Sequence, residues 1–214
     1  MKIKSIVLAS ALFLSACGTP WKTNPASQTA LDQILISTAA DRAADDLVKD
    51  YYGRRDDHRS LGKTFIDTDN FDTGESNPNN QYALSAIRRK FFDSDVVLVD
   101  DPDQADTIAE VGVGAMSVDN TTSLLGIPSV SLPIPLVGTV STPEIAFYKQ
   151  VSNRGLAKFA ISLRDKQSGK IREQSSFSVG TAKIENWTVL VIFEFVSNDL
   201  ELPEQYESIG GKSK

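Results

Sequence analysis

The chain has 214 residues, 41% of them hydrophobic and 23% charged, which suits a folded domain and excludes a wholly disordered or fibrous chain. Acidic residues outnumber basic ones 28 to 22, so the net charge of −6 is the opposite of the basic field that nucleic-acid binding needs. A single Cys and a single His exclude an internal disulfide and remove the usual parts of cysteine zinc sites and of Ser-His-Asp catalysis.

The chain starts with Lys2 and Lys4, a short apolar run from Ile6 to Leu14, and the small residues Ser15 and Ala16. This order is that of an export signal, and the run is shorter than the ~20 apolar residues a spanning helix needs. Leu14-Ser15-Ala16-Cys17 resembles the lipobox of bacterial lipoproteins. That resemblance implies cleavage before Cys17, a diacylglyceryl thioether on its sulfur and an acyl group on its new amine. The alternative is an ordinary secretory signal followed by a chance Cys. Gly18 stands where Asp would favour retention at an inner membrane, so the resemblance implies an outer-membrane lipoprotein. Loss of Lys2 and Lys4 leaves 20 basic and 28 acidic residues, a net charge of −8. Trp21, four residues past the lipid, suits either the headgroup level or a place on the domain.

Asn24-Pro25 reads as a helix start, followed by Leu31, Leu35, Ala39, Ala43, Leu47 and Tyr51 at helical spacing and a stop at Gly53. Arg54 to Arg59, which holds His58, reads as a solvated connector. Lys63–Asp67 is a short strand. Asn77-Pro78 opens a second helix through Phe92. Val96–Val99 is a continuous apolar run, the pattern of a buried strand. Ile108–Val118 is a strand with Ala109, Val111, Val113 and Ala115 on one face. Gly112 and Gly114 fall on its other face, where a close approach is expected.

Residues 120–143 hold no charged side chain. They carry Leu124, Leu125, Ile127, Val130, Leu132, Ile134, Leu136 and Val137, broken by Pro128, Pro133 and Pro135. The prolines exclude a regular helix and a central strand. The segment is either a loop folded over the core or an apolar surface meeting another subunit, another protein or the bilayer. A membrane-spanning hairpin is disfavoured, since prolines leave backbone groups unpaired in lipid. Leu156–Arg164 alternates with Ala157, Phe159, Ile161 and Leu163 inward, Asp165–Lys170 is a hairpin connection, and Ile171–Val179 returns. Trp187–Val196 is nearly all apolar and reads as one central or interface strand.

Asp67, Asp69, Asp72 and Glu75 share a loop but miss the spacing of an EF-hand, so turn and cap roles are expected of them, as of Asp100, Asp101, Asp103 and Asp106. No nucleophile elbow, phosphate loop or dinucleotide fingerprint occurs. The expectation is a non-enzymatic protein with no cofactor, no metal site, no evident small-molecule substrate and no nucleic-acid partner, and a periplasmic hydrolase using carboxylates is the lesser alternative.

The expected fold is α/β (α+β): a single mixed sheet with two main helices packed on it, plus the proline-rich apolar insert. The organisation is a signal peptide over 1–16, a lipidated tether over 17–27, one domain over 28–198 with the insert at 120–143, and a fraying polar tail over 199–214. The helix ending at Phe92, Val96-Val97-Leu98-Val99, Gln104-Ala105-Asp106, the Gly112 strand and the Ser168-Gly169 hairpin follow one another in an order that resembles a group of periplasmic lipoproteins. That group includes the curli secretion protein CsgG, the exopolysaccharide protein PelC, the penicillin-binding-protein activator LpoB and the N-terminal domain of TolB. The resemblance implies an anticodon-binding-domain-like fold and work by protein contacts, as a ring-forming export part or a docking module. Cys17–Ala26 and Thr38–Ala43 also resemble a family of bacterial lipoproteins of unknown function. Together these imply a protein held to the outer membrane by its N-terminal lipid, with a protein partner or copies of itself as its associates.

Overall fold

The computed structural model describes residues 29–53, 62–71, 78–135 and 138–200. Cys17, Trp21, His58, Asp72, Glu75, Leu136 and Val137 lie outside the described residues, as do the signal, the tether and residues 201–214.

Helix α1 (Ala30–Gly53) begins later than Asn24-Pro25 suggested. Thr29 is its cap. The Thr29 backbone N–H donates to Asp32 Oδ2 at 3.0 Å, and the Asp32 N–H donates to Thr29 Oγ1 at 3.1 Å. Two of the helix's orphan donor positions are thereby satisfied reciprocally. Strand β1 (Lys63–Asp67) leads to α2 (Pro78–Asp93), with Pro78 at the position where a missing N–H costs nothing. The α2 terminus closes with Asp95 at φ 58°, the Asp95 N–H on Phe92 O and the Val96 N–H on Phe91 O at 3.1 and 3.2 Å. An aspartate here takes the left-handed position that Gly usually fills.

Strands β2 (Val97–Val99), β3 (Thr107–Ile127), β6 (Ile145–Asp165), β7 (Ile171–Val189) and β8 (Phe193–Asn198) join β1 in one sheet of order β2-β1-β3-β6-β7-β8. β1 is parallel to β2 and β3, and β3, β6, β7 and β8 form an antiparallel meander, so the sheet is mixed. β4 (Ser131–Ile134) and β5 (Gly138–Ser141) form a separate two-stranded hairpin. Three of the acidic turn residues accept backbone N–H groups. Asp67 accepts the Asp69 N–H, Asp101 caps a one-turn 3-10 helix (Pro102–Gln104) by accepting the Asp103 N–H, and Asp106 accepts the Lys63 N–H.

Both helices cover one face of the sheet. Leu35, Ala39, Ala43 and Leu47 of α1 and Ile87 and Phe91 of α2 pack on Val111, Phe159, Ile161, Leu163 and Ile184. The inward set Ala157, Phe159, Ile161 and Leu163 is buried as its alternation required. The alanines of α1 let its backbone lie directly on the sheet. A Cβ on Gly180 would overlap the Ala39 carbonyl and the Ala43 N–H, and one on Gly155 would overlap the Leu35 carbonyl. The close approach therefore falls at Gly155 and Gly180. At Gly112 nothing lies within 4 Å, because Gly112 faces the side that no helix covers.

Polar contacts lock the helices to each other and to the end of the chain. Asp41 accepts from the Tyr82 hydroxyl and from Arg89, each at 2.8 Å. Burial, the largest cause, raises the Tyr82 pKa, so the phenol stays a donor at neutral pH. Asp45 on α1 pairs with Lys49 and, at 3.1 Å, with Lys90 on α2. Arg42 donates to the Thr181 carbonyl and pairs with Asp199 at 3.2 Å, and Leu200 is buried. Residues 199 and 200 therefore belong to the packed domain, contrary to a tail that frays from 199.

Three strand expectations need correction. The run at Val96–Val99 does not form a buried central strand. β2 is a sheet edge, and Val97 is 59% exposed. A bulge between Val113 and Ala115 shifts the phase of β3, so that Met116 and Val118, rather than Ala115, pack against the core. Trp187–Val196 is not one strand but the end of β7, a turn at Leu190–Ile192, and most of β8.

Candidate functional site: a β-arm with an apolar end

β3, β6 and β7 run 21, 21 and 19 residues, well beyond the 5–6 typical of globular strands. Helical cover ends near Val118, Gly155 and Ala182. The strands continue past that line with β8 as a four-stranded arm made of Asp119–Ile127, Ile145–Arg154, Lys183–Val189 and Phe193–Asn198. The first half of the 120–143 insert is thus a continuation of β3. Its prolines are accommodated because Pro128 follows the strand's last residue and Pro133 lies in a hairpin that has no neighbours beyond its partner strand. None of its described residues folds over the core.

On the face opposite the helices, residues from four strands line up in rows. Asp119, Arg154 and Lys183 form the row nearest the body. Thr121, Ser152, Glu185 and Ser197 form the next. Ser123, Gln150, Trp187 and Phe195 follow, and Leu125, Tyr148, Val189 and Phe193 come last. Successive rows lie roughly 7 Å apart, two residues along a strand. Chemistry therefore changes along the strands, from charge through hydroxyl and amide to hydrocarbon. Asp119, Thr121 and Ser123 of β3, Gln150, Ser152 and Arg154 of β6 and Glu185 of β7 line an open trough of about 300 Å³. At its border Lys183 Nζ lies 3.6 Å from Glu185, and the Tyr148 hydroxyl donates to Gln150 Oε1 at 3.1 Å.

The end of the arm is apolar and bare. Leu125 is 67% exposed, Ile192 74% and Phe195 56%, and Ile127, Phe147, Leu190, Val191 and Phe193 are exposed alongside them. An apolar area of this kind marks an interaction surface in a soluble protein. The β7–β8 turn hydrogen-bonds onto β6, with the Leu190 N–H on Phe147 O at 2.9 Å and the Val191 N–H on Ala146 O at 3.0 Å. Leu190 and Val191 both have positive φ, 51° and 70°. Asn or Gly would take that conformation at least cost, and a β-branched Val there is strained. The turn keeps apolar side chains at a backbone cost.

Leu125, Ile127, Val130, Leu132 and Ile134 stand exposed, as a surface reading of the insert requires, whereas Leu124 is half-buried. Leu136, Val137 and Cys17 lie outside the described residues. Sequence reasoning missed Phe147 and Tyr148, whose signal was the uncharged stretch between Glu144 and Lys149. It also missed the polar trough, which no single strand announces.

Residues 11–197 match a family of proteins that covers the arm and the body together. The chain belongs to a family of unknown function, DUF6655. No curated protein and no solved structure matches the chain. For this DUF6655 chain the geometry is the source of functional argument. Among its described residues, no group of three or more His, Cys, Asp or Glu is placed to hold a metal ion, and no helix is long and apolar enough to cross a membrane.

Proposed function

We propose that the protein is a lipoprotein of the cell envelope, exported by residues 1–16, acylated at Cys17, held at the outer membrane, and acting through protein contacts rather than catalysis. In this reading it assembles with copies of itself as a scaffold or export component. One observation carries the self-assembly. Among the described residues the arm has two unpaired edges. β1 leaves β3 at the Asp67–Glu110 pair, and β3 has no strand on that side from Val111 onward among the described residues. β8 is the other edge. Because four strands alternate, β8 runs antiparallel to β3. A second copy placed beside the first in the same orientation can therefore continue the antiparallel ladder. Such a head-to-tail contact repeats, and it closes into a ring when the rotation between copies allows. An unpaired edge as long as that of β3 from Val111 to Ile127 is otherwise a liability that proteins cover or blunt.

The test is the native mass of the acylated protein extracted from membranes in mild detergent. A closed multimer of one size is expected. A monomer overturns self-assembly and leaves the adaptor of an envelope enzyme as the surviving form of the proposal.

A further inference from the structure

The apolar end of the arm extends past both unpaired edges, and its surroundings indicate what covers it. We infer that the end of the arm dips into the surface of a phospholipid bilayer, as a second membrane contact beside the N-terminal lipid. The inference adds to the function proposed above and takes only the position of the lipid from it.

Four observations converge. First, charge stops at one level. Lys149 and Glu194 share a row with Thr188 on the helix-bearing face, and beyond that row the described residues carry only Glu144, whose carboxylate is held back by Lys149 Nζ at 2.7 Å. Second, Tyr148 and Trp187 lie at this boundary. An amphipathic aromatic beside a lysine is the usual composition at the depth of lipid headgroups. Third, the exposed side chains past the boundary come from two separate hairpin ends, Leu125–Ile145 with β4–β5 and Leu190–Ile192. Val191 reaches the level of Ala146, two residues beyond Tyr148, or roughly 7 Å at the rise of a strand. For the β7–β8 turn that depth fits the interfacial zone of a bilayer, where apolar side chains sit roughly 5–10 Å deep.

Fourth, the helix points the chain's start the same way. The Leu35 backbone lies over Gly155, the Ala39 backbone over Gly180, and the Ala43 carbonyl accepts from Ser178 Oγ at 2.6 Å. Gly180 pairs with Ala157 and Ser178 with Phe159, so α1 steps away from the arm as it proceeds. Its first residue therefore faces the arm's end. A stretch from Cys17 to Thr29 can span at most roughly 40 Å when extended. The apolar end lies about 20 Å beyond the start of α1, from the rise per residue of strand and helix. Lipid and arm can thus meet one surface together. The net charge of −8 left after loss of Lys2 and Lys4 makes a zwitterionic bilayer the appropriate probe, since anionic lipid would repel the protein.

The sequence holds two tryptophans, Trp21 and Trp187, so Trp21→Phe leaves Trp187 as a single reporter. The full-length protein carrying that change is reconstituted in phosphatidylcholine vesicles whose acyl chains are brominated at shallow or deep positions. Trp187 emission is expected to be quenched strongly by shallow bromines and weakly by deep ones. Adding Leu190→Asp and Ile192→Asp should abolish that quenching while the thermal midpoint stays unchanged. Trp187 emission indifferent to bromine overturns the inference. So does quenching that survives the two Asp changes, or an emission shift that follows protein concentration instead of bromine and so reports a second copy on the arm's end. The intact mass of the same sample tests the acylation at Cys17 separately. Protein without acyl chains removes the anchor reading, and Trp187 quenching then decides the arm's contact alone.

Discussion

The same three strands behave as two different materials at their two ends. In the body, β3, β6 and β7 alternate across the sheet, with Val111, Phe159 and Ala182 under the helices and Gly112, Lys158 and Thr181 on the open side. In the arm, the outer face changes along the strand, from Asp119 and Arg154 to Leu125 and Tyr148. Alternation across a sheet buries one face against a neighbour in the same chain. The comparison teaches that burial in the body serves stability, while the arm leaves exposed the apolar side chains that the proposed contacts would cover.

Substitutions separate the two roles. Phe159→Ala in the body should cost about 3–5 kcal/mol in urea unfolding, through lost burial and the cavity left behind. Gly180→Ala should cost about 1–3 kcal/mol, at the upper end because the new methyl meets the α1 backbone rather than a movable side chain. If Gly180→Ala were neutral, α1 would not lie on the sheet as described. In the arm, Phe193→Ser with Phe195→Ser should shift unfolding by less than about 0.5 kcal/mol, the norm for exposed positions, yet shift the native mass in detergent towards the monomer. A large loss of stability from that pair would make the arm part of the core and erase the comparison.

The smallest effect expected is electrostatic. The hydrogen bond from Lys49 is the main cause holding the Asp45 carboxyl below its ordinary range, with Lys90 adding and burial opposing. A carboxyl depressed in the folded state stabilises it above the unfolded pKa of about 3.9, and that contribution disappears as pH falls through the folded value. Asp45→Asn should therefore cost at most about 1 kcal/mol at pH 7, as for other partly exposed pairs. It should be indistinguishable from the parent near pH 2, which parallel denaturant titrations at the two pH values will check.

Local signals were legible wherever one segment carries its own periodicity. The spacing Leu31, Leu35, Ala39, Ala43, the alternation Ala157 to Leu163, the turn at Asp165–Lys170 and the charge-free run at 120–143 all read directly as elements, and one mixed sheet under two helices followed from their order. The start of α1 was misplaced because two cap signals compete, Asn24-Pro25 and Thr29 with Asp32, and only packing of the helix on the sheet selects between them. Trp187–Val196 was misread because a turn of Leu190, Val191 and Ile192 carries none of the residues that normally mark one. Val97 was misread because a run of valines does not say whether its strand has one neighbour or two.

By itself the sequence determined the two helices and the alternating strands, the expectation of a lipidated start at Cys17, and the absence of charge from the insert. These are properties of consecutive residues, set by side-chain type and spacing. Tertiary structure alone decided that β3 continues through the insert, that Gly155 and Gly180 receive α1, and that Asp119, Arg154 and Lys183 share one row while Leu125, Tyr148, Val189 and Phe193 share another. Those rows join residues more than 60 positions apart, and the register that joins them is set by bulges and by the helix packed on one face. No run of neighbouring residues records it.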